Sequence, residues 1–370
     1  MLKIVIIGAY PNSIIGFRGP LIRKFVNAGH QVTVMTAQAS IDVIAEITAL
    51  GATFQPYSVE RNGVNPIADL KTLFEIKKAL KTLQPDHVLA YTIKPIIWGG
   101  IAARLIGLKN FNAMITGLGY AFESGGFARN AVNVIVKRLY KYSLANAKSI
   151  IFQNLDNRQL FVELELADEK KCHRVFGSGV DITAYQQQPF PEQETTFLLI
   201  ARLLGDKGIR EFAGAAEIVK KSYPNVKFQV LGPYDSSPDK ISASEVAQWQ
   251  AQGNIDYLGE TDNVKPYIKA CHIYTLPSYH EGLPRTVLEA MSIGRPILTT
   301  DAVGCRDTVV NGENGWLVAT RNVDELAKRM IWFIENPQQW HRMANASRAM
   351  VEDKFNVTQV NEAISHIMGL

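Results

Sequence analysis

Two series of alternating strand and helix signals, separated by one stretch without periodicity, constrain this chain more than any other feature. In the first half, short β-branched runs read as strands at Lys3 to Ile7, His30 to Met35 and His87 to Tyr91. Longer stretches read as helices at Gly19 to Asn27 and Ile67 to Leu83. Strand-helix alternation implies a parallel sheet with both faces covered, because a parallel crossover needs the length that a helix supplies. The breaks carry Gly or Pro, at Gly8, Pro11, Gly16, Gly29, Pro66 and Pro95. A second series begins near Phe197 with FLLIAR and passes through a helix around Glu211 to Lys221. It continues through KFQVLG (Lys227 to Gly232), IDYLG (Ile255 to Gly259), HIYTLPS (His272 to Ser278) and RPILTT (Arg295 to Thr300). Between the two series, Ala184 to Thr196 is rich in Gln, Pro and Glu and is the expected linker.

The chain has 370 residues, more than one hydrophobic core normally serves, so two domains of roughly 150–200 residues are expected. The expectation is an α/β protein of two Rossmann-like domains, 1–185 and 190–354. The last helical segment, Val357 to Met368, suits either domain, and packing of 355–370 back onto the first is one arrangement. Ligands of open parallel sheets bind at the carboxyl ends of the strands, so two such sheets facing each other would enclose a cleft.

Several classes are disfavoured at this stage. The apolar run Ile4 to Ile7 is too short for a signal peptide, and no stretch approaches the ~20 apolar residues of a membrane span, so membrane contact is expected to be peripheral. Three widely spaced cysteines, Cys172, Cys271 and Cys305, fit a reducing cytosol and no metal cluster. The net charge of +4 hides an asymmetry: residues 1–190 hold 21 Lys/Arg against 13 Asp/Glu, whereas residues 191–370 hold 18 against 22. A basic half is drawn to something anionic, such as a phospholipid surface or a diphosphate. No basic-aromatic module of a nucleic-acid binder is visible, so no nucleic-acid partner is expected.

Three stretches carry candidate chemistry. Ala201 to Ile209, ARLLGDKGI, sets Arg202 and Lys207 between a strand and a helix start, a site for an anion as dense as a diphosphate or, equally, a solvated surface loop. Tyr279 to Met291, YHEGLPRTVLEAM, sets Gly282 and Leu283 at a helix amino terminus, with Pro284 just inside it, Glu281 before it and Glu289 about two turns along. Glu289 also lies four residues after Arg285 and has the alternative of a surface ion pair. In Asp301 to Val318, Gly312 and Gly315 read as structural, and Arg306 either meets substrate or packs on Asp307. In the first half, Pro11 to Pro20 reads as a loop in which Gly16 allows close approach of backbone to ligand. Arg18 there is either an acceptor or diphosphate contact or solvated surface. The G-x-G-x-x-G fingerprint is absent, which argues against a nicotinamide enzyme. No D-x-D is present, so no metal cofactor is expected, and cations with helix dipoles must neutralise any diphosphate bound here.

At these residues the sequence resembles family four of the retaining GT-B glycosyltransferases over essentially its whole length. The family's pair of glutamates eight positions apart matches Glu281 and Glu289, and its Arg and Lys match Arg202 and Lys207. YTIKP (Tyr91 to Pro95), ITGLGYAF (Ile115 to Phe122), EGLPRTVLEAM (Glu281 to Met291) and GCRDTV (Gly304 to Val309) resemble the bacterial enzymes that add a second hexose, often N-acetylated, to a polyprenyl-diphosphate-linked sugar.

The resemblance implies a UDP-sugar donor. Arg202 and Lys207 would sit on its diphosphate, Glu289 on the ribose and Glu281 on the sugar, with Gly282, Leu283 and Gly16 as further donor contacts. The implied catalytic set is Glu281, Lys207 and Arg202, and the acceptor-side candidates are Arg18, Thr116 and Lys94. Many members carry a His in a T-H-G turn of the first domain, where this chain has Ile115-Thr116-Gly117, so that role does not carry over. Phe127 to Lys148 mixes Val132, Val134, Ile135, Val136 and Leu139 with Arg129, Lys137, Arg138, Lys141 and Lys148. This is a face for anionic lipid at the inner membrane, or a solvated helix packed on its own domain. The alternatives are a GDP-mannose donor, a soluble acceptor, a sugar-nucleotide epimerase or phosphorylase on the same fold, or a non-enzymatic lectin-like protein.

Overall fold

The structure, a computed structural model, describes residues 1–60, 65–118, 122 and 127–370, and of 127–130 the backbone alone. Part of the ITGLGYAF motif and the Arg129 side chain lie outside the described residues. The chain forms two compact units, one of Met1–Ser178 with Thr358–Leu370, the other of Gly179–Val357.

The first unit is built on strands β1 (Lys3–Ile7), β2 (Gln31–Thr36), β3 (Thr53–Pro56), β4 (His87–Tyr91), β5 (Phe111–Ile115), β6 (Ser149–Phe152) and β7 (Cys172–Arg174), in the order β3-β2-β1-β4-β5-β6-β7. All pairings are parallel; Ile6 of β1 lies opposite Val34 of β2 and Leu89 of β4. The two-residue period of a strand sends Val5 and Ile7 into one core and Ile4 and Ile6 into the other, so an unbroken apolar run is what this strand requires. Helices Pro66–Leu83, Ile93–Leu105 and Phe127–Leu144 form one covering layer. Helices Pro11–Asn27, Ile41–Ala49 and Val357–Met368 form the other, where Val360, Ile364 and Met368 of the last helix join the core.

The second unit is built on β8 (Thr196–Ile200), β9 (Lys227–Leu231), β10 (Asp256–Tyr257), β11 (Ile273–Leu276), β12 (Ile297–Thr300) and β13 (Gly315–Val318), again all parallel, in the order β10-β9-β8-β11-β12-β13. In each sheet the strand order reverses beside the first strand, between β1 and β4 and between β8 and β11. Such a reversal opens a crevice at the strands' carboxyl ends, because successive crossovers leave in opposite directions.

Two expectations are corrected. The stretch Ala184 to Thr196 is not a linker: the passage between units falls at Ser178 and Gly179, and the stretch is folded onto the second unit. Arg295, fully buried, donates to the carbonyls of Gln188 (3.0 Å), Pro189 (3.0 Å), Ile268 (3.2 Å), Lys269 (2.9 Å) and Gly294 (3.1 Å), and its guanidinium lies over the Phe190 ring. Likewise Pro11 to Pro20 is helix rather than loop. The helix starts at Pro11, whose fixed φ suits a first helical position, and it buries Ile14, Arg18, Leu21, Ile22 and Phe25 at helical spacing. That burial outweighs the poor helix propensity of Gly16, Gly19 and Pro20.

All three cysteines are buried thiols. Burial pushes Cys172 up to about 11, and Cys271 and Cys305 up to about 12. A thiol-disulfide reagent at pH 8 is therefore expected to titrate none of them in the native protein and all three in denaturant. Among the described residues no helix is long and apolar enough to cross a membrane.

Candidate active site

The second unit's crevice is assembled by two glycines. After β8 the chain makes a tight turn, Gly205–Lys207, closed by Gly208 at φ +71°, and then starts the helix Ile209–Lys220. A Cβ on Gly208 would stand 2.1 Å from the Pro277 carbonyl oxygen, so only glycine lets this turn lie on the end of β11. Gly304, at φ +77°, is the counterpart below Glu281, whose carbonyl oxygen a Cβ would meet at 2.4 Å. Gly208→Ala is expected to cost about 2 kcal/mol or more, from the left-handed φ and the backbone clash together, read as a lowered denaturation midpoint.

Lys207 and Glu281, 74 positions apart, meet here. The Lys207 Nζ donates to Glu281 Oε1 at 2.6 Å, and Ser278 Oγ donates to the same oxygen at 2.9 Å. Both members of the pair are mostly buried, with 14% and 19% of their side-chain surface exposed, so this is no solvated surface pair. Burial alone would drive the Lys207 proton off, but the carboxylates of Glu281 and Asp206 outweigh it, and its pKa is raised. The ammonium is therefore held charged within a mostly buried site. Asp206 fixes the turn by accepting from Tyr279 N (2.8 Å) at its carbonyl, which the Ser278 Oγ also approaches at 3.1 Å.

Arg202, two residues beyond the end of β8, pairs with a different carboxylate. Its Nη1 donates to Asp235 Oδ2 at 2.6 Å, with 43% of the arginine side chain exposed. Asp235, which burial would raise, is instead held down at about 2 by the Ser237 hydroxyl and amide and by Arg202. Glu289 sits on the helix Arg285–Ile293 and is 4% exposed. Arg285 Nε donates to its Oε1 at 2.9 Å, the Tyr185 hydroxyl also hydrogen-bonds it, and burial lifts its pKa. The ion pair expected from the four-residue spacing is thus present but buried, and leaves a carboxylate locked in orientation. Pro284, expected just inside the helix, is its cap residue, so Gly282 and Leu283 lie in the approach to the helix rather than in it.

The first-unit candidates stand separately. Gly16 is an exposed helix position and not a loop glycine. Arg18 is 2% exposed, its guanidinium 5.1 Å from the Tyr91 ring centre and its Nη1 3.4 Å from Ser178 Oγ, so the solvated-surface alternative is wrong. Lys94 pairs with Asp69 at 2.8 Å, and Thr116, half-buried, follows β5. Arg306 pairs with Asp301 at 2.7 Å. The Cβ that Gly315 lacks would meet the Ile297 carbonyl oxygen at 1.9 Å, which makes that glycine structural. Sequence reading missed Asp206, Asp235, Ser278 and Tyr185. Asp206 was adjacent to a residue already singled out, whereas Asp235 and Tyr185 carried no signal beyond turn-like and linker-like surroundings. Among the described residues no group of three or more His, Cys, Asp or Glu side chains is placed to hold a metal ion.

The sequence profile of glycosyl transferases group 1 matches residues 181–350, the unit that holds Arg202, Lys207, Glu281 and Glu289, and that of glycosyl transferase 4-like matches residues 13–154. The chain belongs to the group 1 glycosyl transferases. A Campylobacter jejuni relative, N,N'-diacetylbacillosaminyl-diphospho-undecaprenol alpha-1,3-N-acetylgalactosaminyltransferase, is 28% identical to this glycosyltransferase over 363 residues, 93% of each chain. The Escherichia coli UDP-Gal:alpha-D-GlcNAc-diphosphoundecaprenol alpha-1,3-galactosyltransferase is 24% identical over 309 residues, 80% of this chain and 78% of its own. Among solved structures, Anabaena HepE in complex with UDP and glucose superposes with a TM-score of 0.82 at 16% identity, covering 100% of both chains. At that identity the likeness is one of fold, the GT-B architecture of two Rossmann-like domains.

Proposed function

We propose that this glycosyltransferase moves a sugar, an N-acetylhexosamine or a hexose, from a UDP-sugar to a polyprenyl-diphosphate-linked saccharide in surface-glycan assembly. Transfer proceeds with retention and without a metal, at the cytoplasmic face of the inner membrane. The observation that carries the reading is the buried, charged Lys207 held by Glu281 at the crevice between β8 and β11. A cation kept charged away from bulk water is worth most against a group whose negative charge grows during reaction, and the leaving diphosphate is such a group.

In this reading Lys207 and Arg202 hold the diphosphate, with the amino end of the helix Arg285–Ile293 adding its dipole. Glu281 meets the donor sugar, and Glu289, oriented by Arg285 and Tyr185, meets the ribose. The bond from the anomeric carbon to the diphosphate oxygen breaks and the bond to the acceptor hydroxyl oxygen forms on the same face. The hydroxyl proton passes to the departing diphosphate. Retention is supported by the alpha linkages named for both relatives, and the lipid-linked acceptor by the same two names.

Purified protein, offered a panel of UDP- and GDP-sugars with a short-chain polyprenyl-diphosphate sugar, is expected to turn over a UDP-sugar, to give the α-linked product and to keep its rate in EDTA. Turnover of GDP-mannose alone would replace the donor assignment, and inhibition by EDTA would remove the metal-free mechanism. No transfer in any pairing would sink the proposal.

A further inference from the structure

We propose that the outer face of the helix Pro66–Leu83 seats the enzyme on an anionic phospholipid bilayer, an inference that rests on reading the acceptor as lipid-linked. The inner face of this helix buries Thr72, Leu73, Ile76, Ala79 and Leu80. On the opposite face Ile67 is 83% exposed, Leu70 50% and Phe74 62%. These residues recur at i, i+3 and i+7 and form one apolar stripe pointing to solvent, the reverse of what a helix covering a sheet needs for its own packing. Toward the carboxyl end the stripe runs into lysines. Phe74, Lys77, Lys78, Lys81 and Thr82 line a depression of about 300 Å³, an apolar patch bordered by ammonium groups.

The charge of this helix is mostly positive, four lysines against Asp69 and Glu75, the latter 3.8 Å from Lys71. Asp69 is buried against Lys94, and Glu75 accepts from Ser58 N at 2.6 Å and from Ser58 Oγ at 3.1 Å, so both acids of the helix are engaged by their own unit. The surrounding stretch, residues 61–150, holds 13 Lys/Arg against 4 Asp/Glu. In the same covering layer, the helix Phe127–Leu144 exposes Val134, Ile135 and Tyr142 beside Arg138. An apolar stripe with a cationic flank matches a bilayer, in which anionic phosphates overlie hydrocarbon over any position the protein takes. A folded protein partner would need carboxylates set opposite individual lysines.

The test is flotation of the full chain with vesicles of phosphatidylglycerol and phosphatidylcholine against vesicles of phosphatidylcholine alone. The wild type is expected to float with the anionic vesicles only and to be released by high salt. At limiting lipid, L70S/F74S and K78E/K81E are each expected to lower the bound fraction about tenfold. Their melting midpoints and their rates on a water-soluble, short-chain acceptor are expected to stay at wild-type values. Undiminished binding by both double variants, equal binding of the wild type to neutral vesicles, or no binding at all would overturn the inference. Loss of transfer to the soluble acceptor by the wild type would strike the proposed reaction instead.

Discussion

Replacing Lys207 by alanine is expected to lower kcat/KM for sugar transfer by about 10²–10³-fold, some 3–4 kcal/mol of transition-state stabilisation. The size of the effect follows from what is left behind. Lys207 Nζ is 2.6 Å from Glu281 Oε1, and the ammonium is the counter-charge for both Glu281 and Asp206 in a mostly buried pocket. Without it, a diphosphate entering the proposed site meets two carboxylates that have lost their ammonium partner. Lys207→Arg is expected to recover only part of the rate, because a planar fork does not fill the place of a compact ammonium against one carboxylate oxygen. Glu281→Gln combined with Lys207→Ala is expected to be far from additive, since each change removes the other's partner. Steady-state kinetics on the wild type, the three single variants and the double variant, with melting midpoints as the fold control, decide the matter. A Lys207→Ala enzyme within a few-fold of wild type would remove Lys207 from the catalytic set.

The second large effect concerns stability. Arg295→Ala is expected to destabilise the second unit by about 3–5 kcal/mol, because a fully buried group is deleted and its partners stay buried. Five carbonyl oxygens, of Gln188, Pro189, Ile268, Lys269 and Gly294, accept from this one guanidinium. Its removal takes one donor from each of them and frees the segment that carries Tyr185, whose hydroxyl orients Glu289. Arg295→Lys is expected to recover little, since a single ammonium cannot span five acceptors. Denaturant unfolding monitored at the tryptophans reads the loss. A midpoint unchanged in Arg295→Ala would mean that the carbonyls find water instead.

Much of the fold was legible because parallel strands buried on both faces leave unbroken β-branched runs. Lys3–Ile7 and His87–Tyr91 were bounded to the residue, as was the last helix Val357–Met368. The failures share a cause: a tertiary contact overrode local composition. Gly16, Gly19 and Pro20 hid the first turns of a helix read only from Gly19 onward, which form because their apolar side is buried, and the Gln- and Pro-rich stretch 184–196 looked like a linker because nothing in it announces Arg295, a hundred residues away. At the candidate site, Lys207 and Glu281 were singled out through the frames around them, a strand, a glycine turn and a helix start. Their direct pairing was not foreseen, because it depends on which strands are neighbours in the sheet, and β8 lies beside β11 only through the reversal in strand order. Asp235 escaped for the same reason: it reaches Arg202 from the end of the adjacent β9.

The chain leaves the first unit after Ser178 and re-enters it at Thr358. The two ends of the second unit run together: Val180 N donates to the Phe355 carbonyl at 2.8 Å, Val357 N donates to the Val180 carbonyl at 3.0 Å, and Gly179 passes so near Val357 that a Cβ would lie 2.6 Å from its Cα. In topological terms the second unit is an insertion whose entry and exit are neighbours. During synthesis, then, the first unit must wait for its last thirteen residues to emerge from the ribosome, while the second is whole as soon as it has been made. The same adjacency makes residues 179–357 a cassette that a gene can exchange in one piece without opening the core that remains.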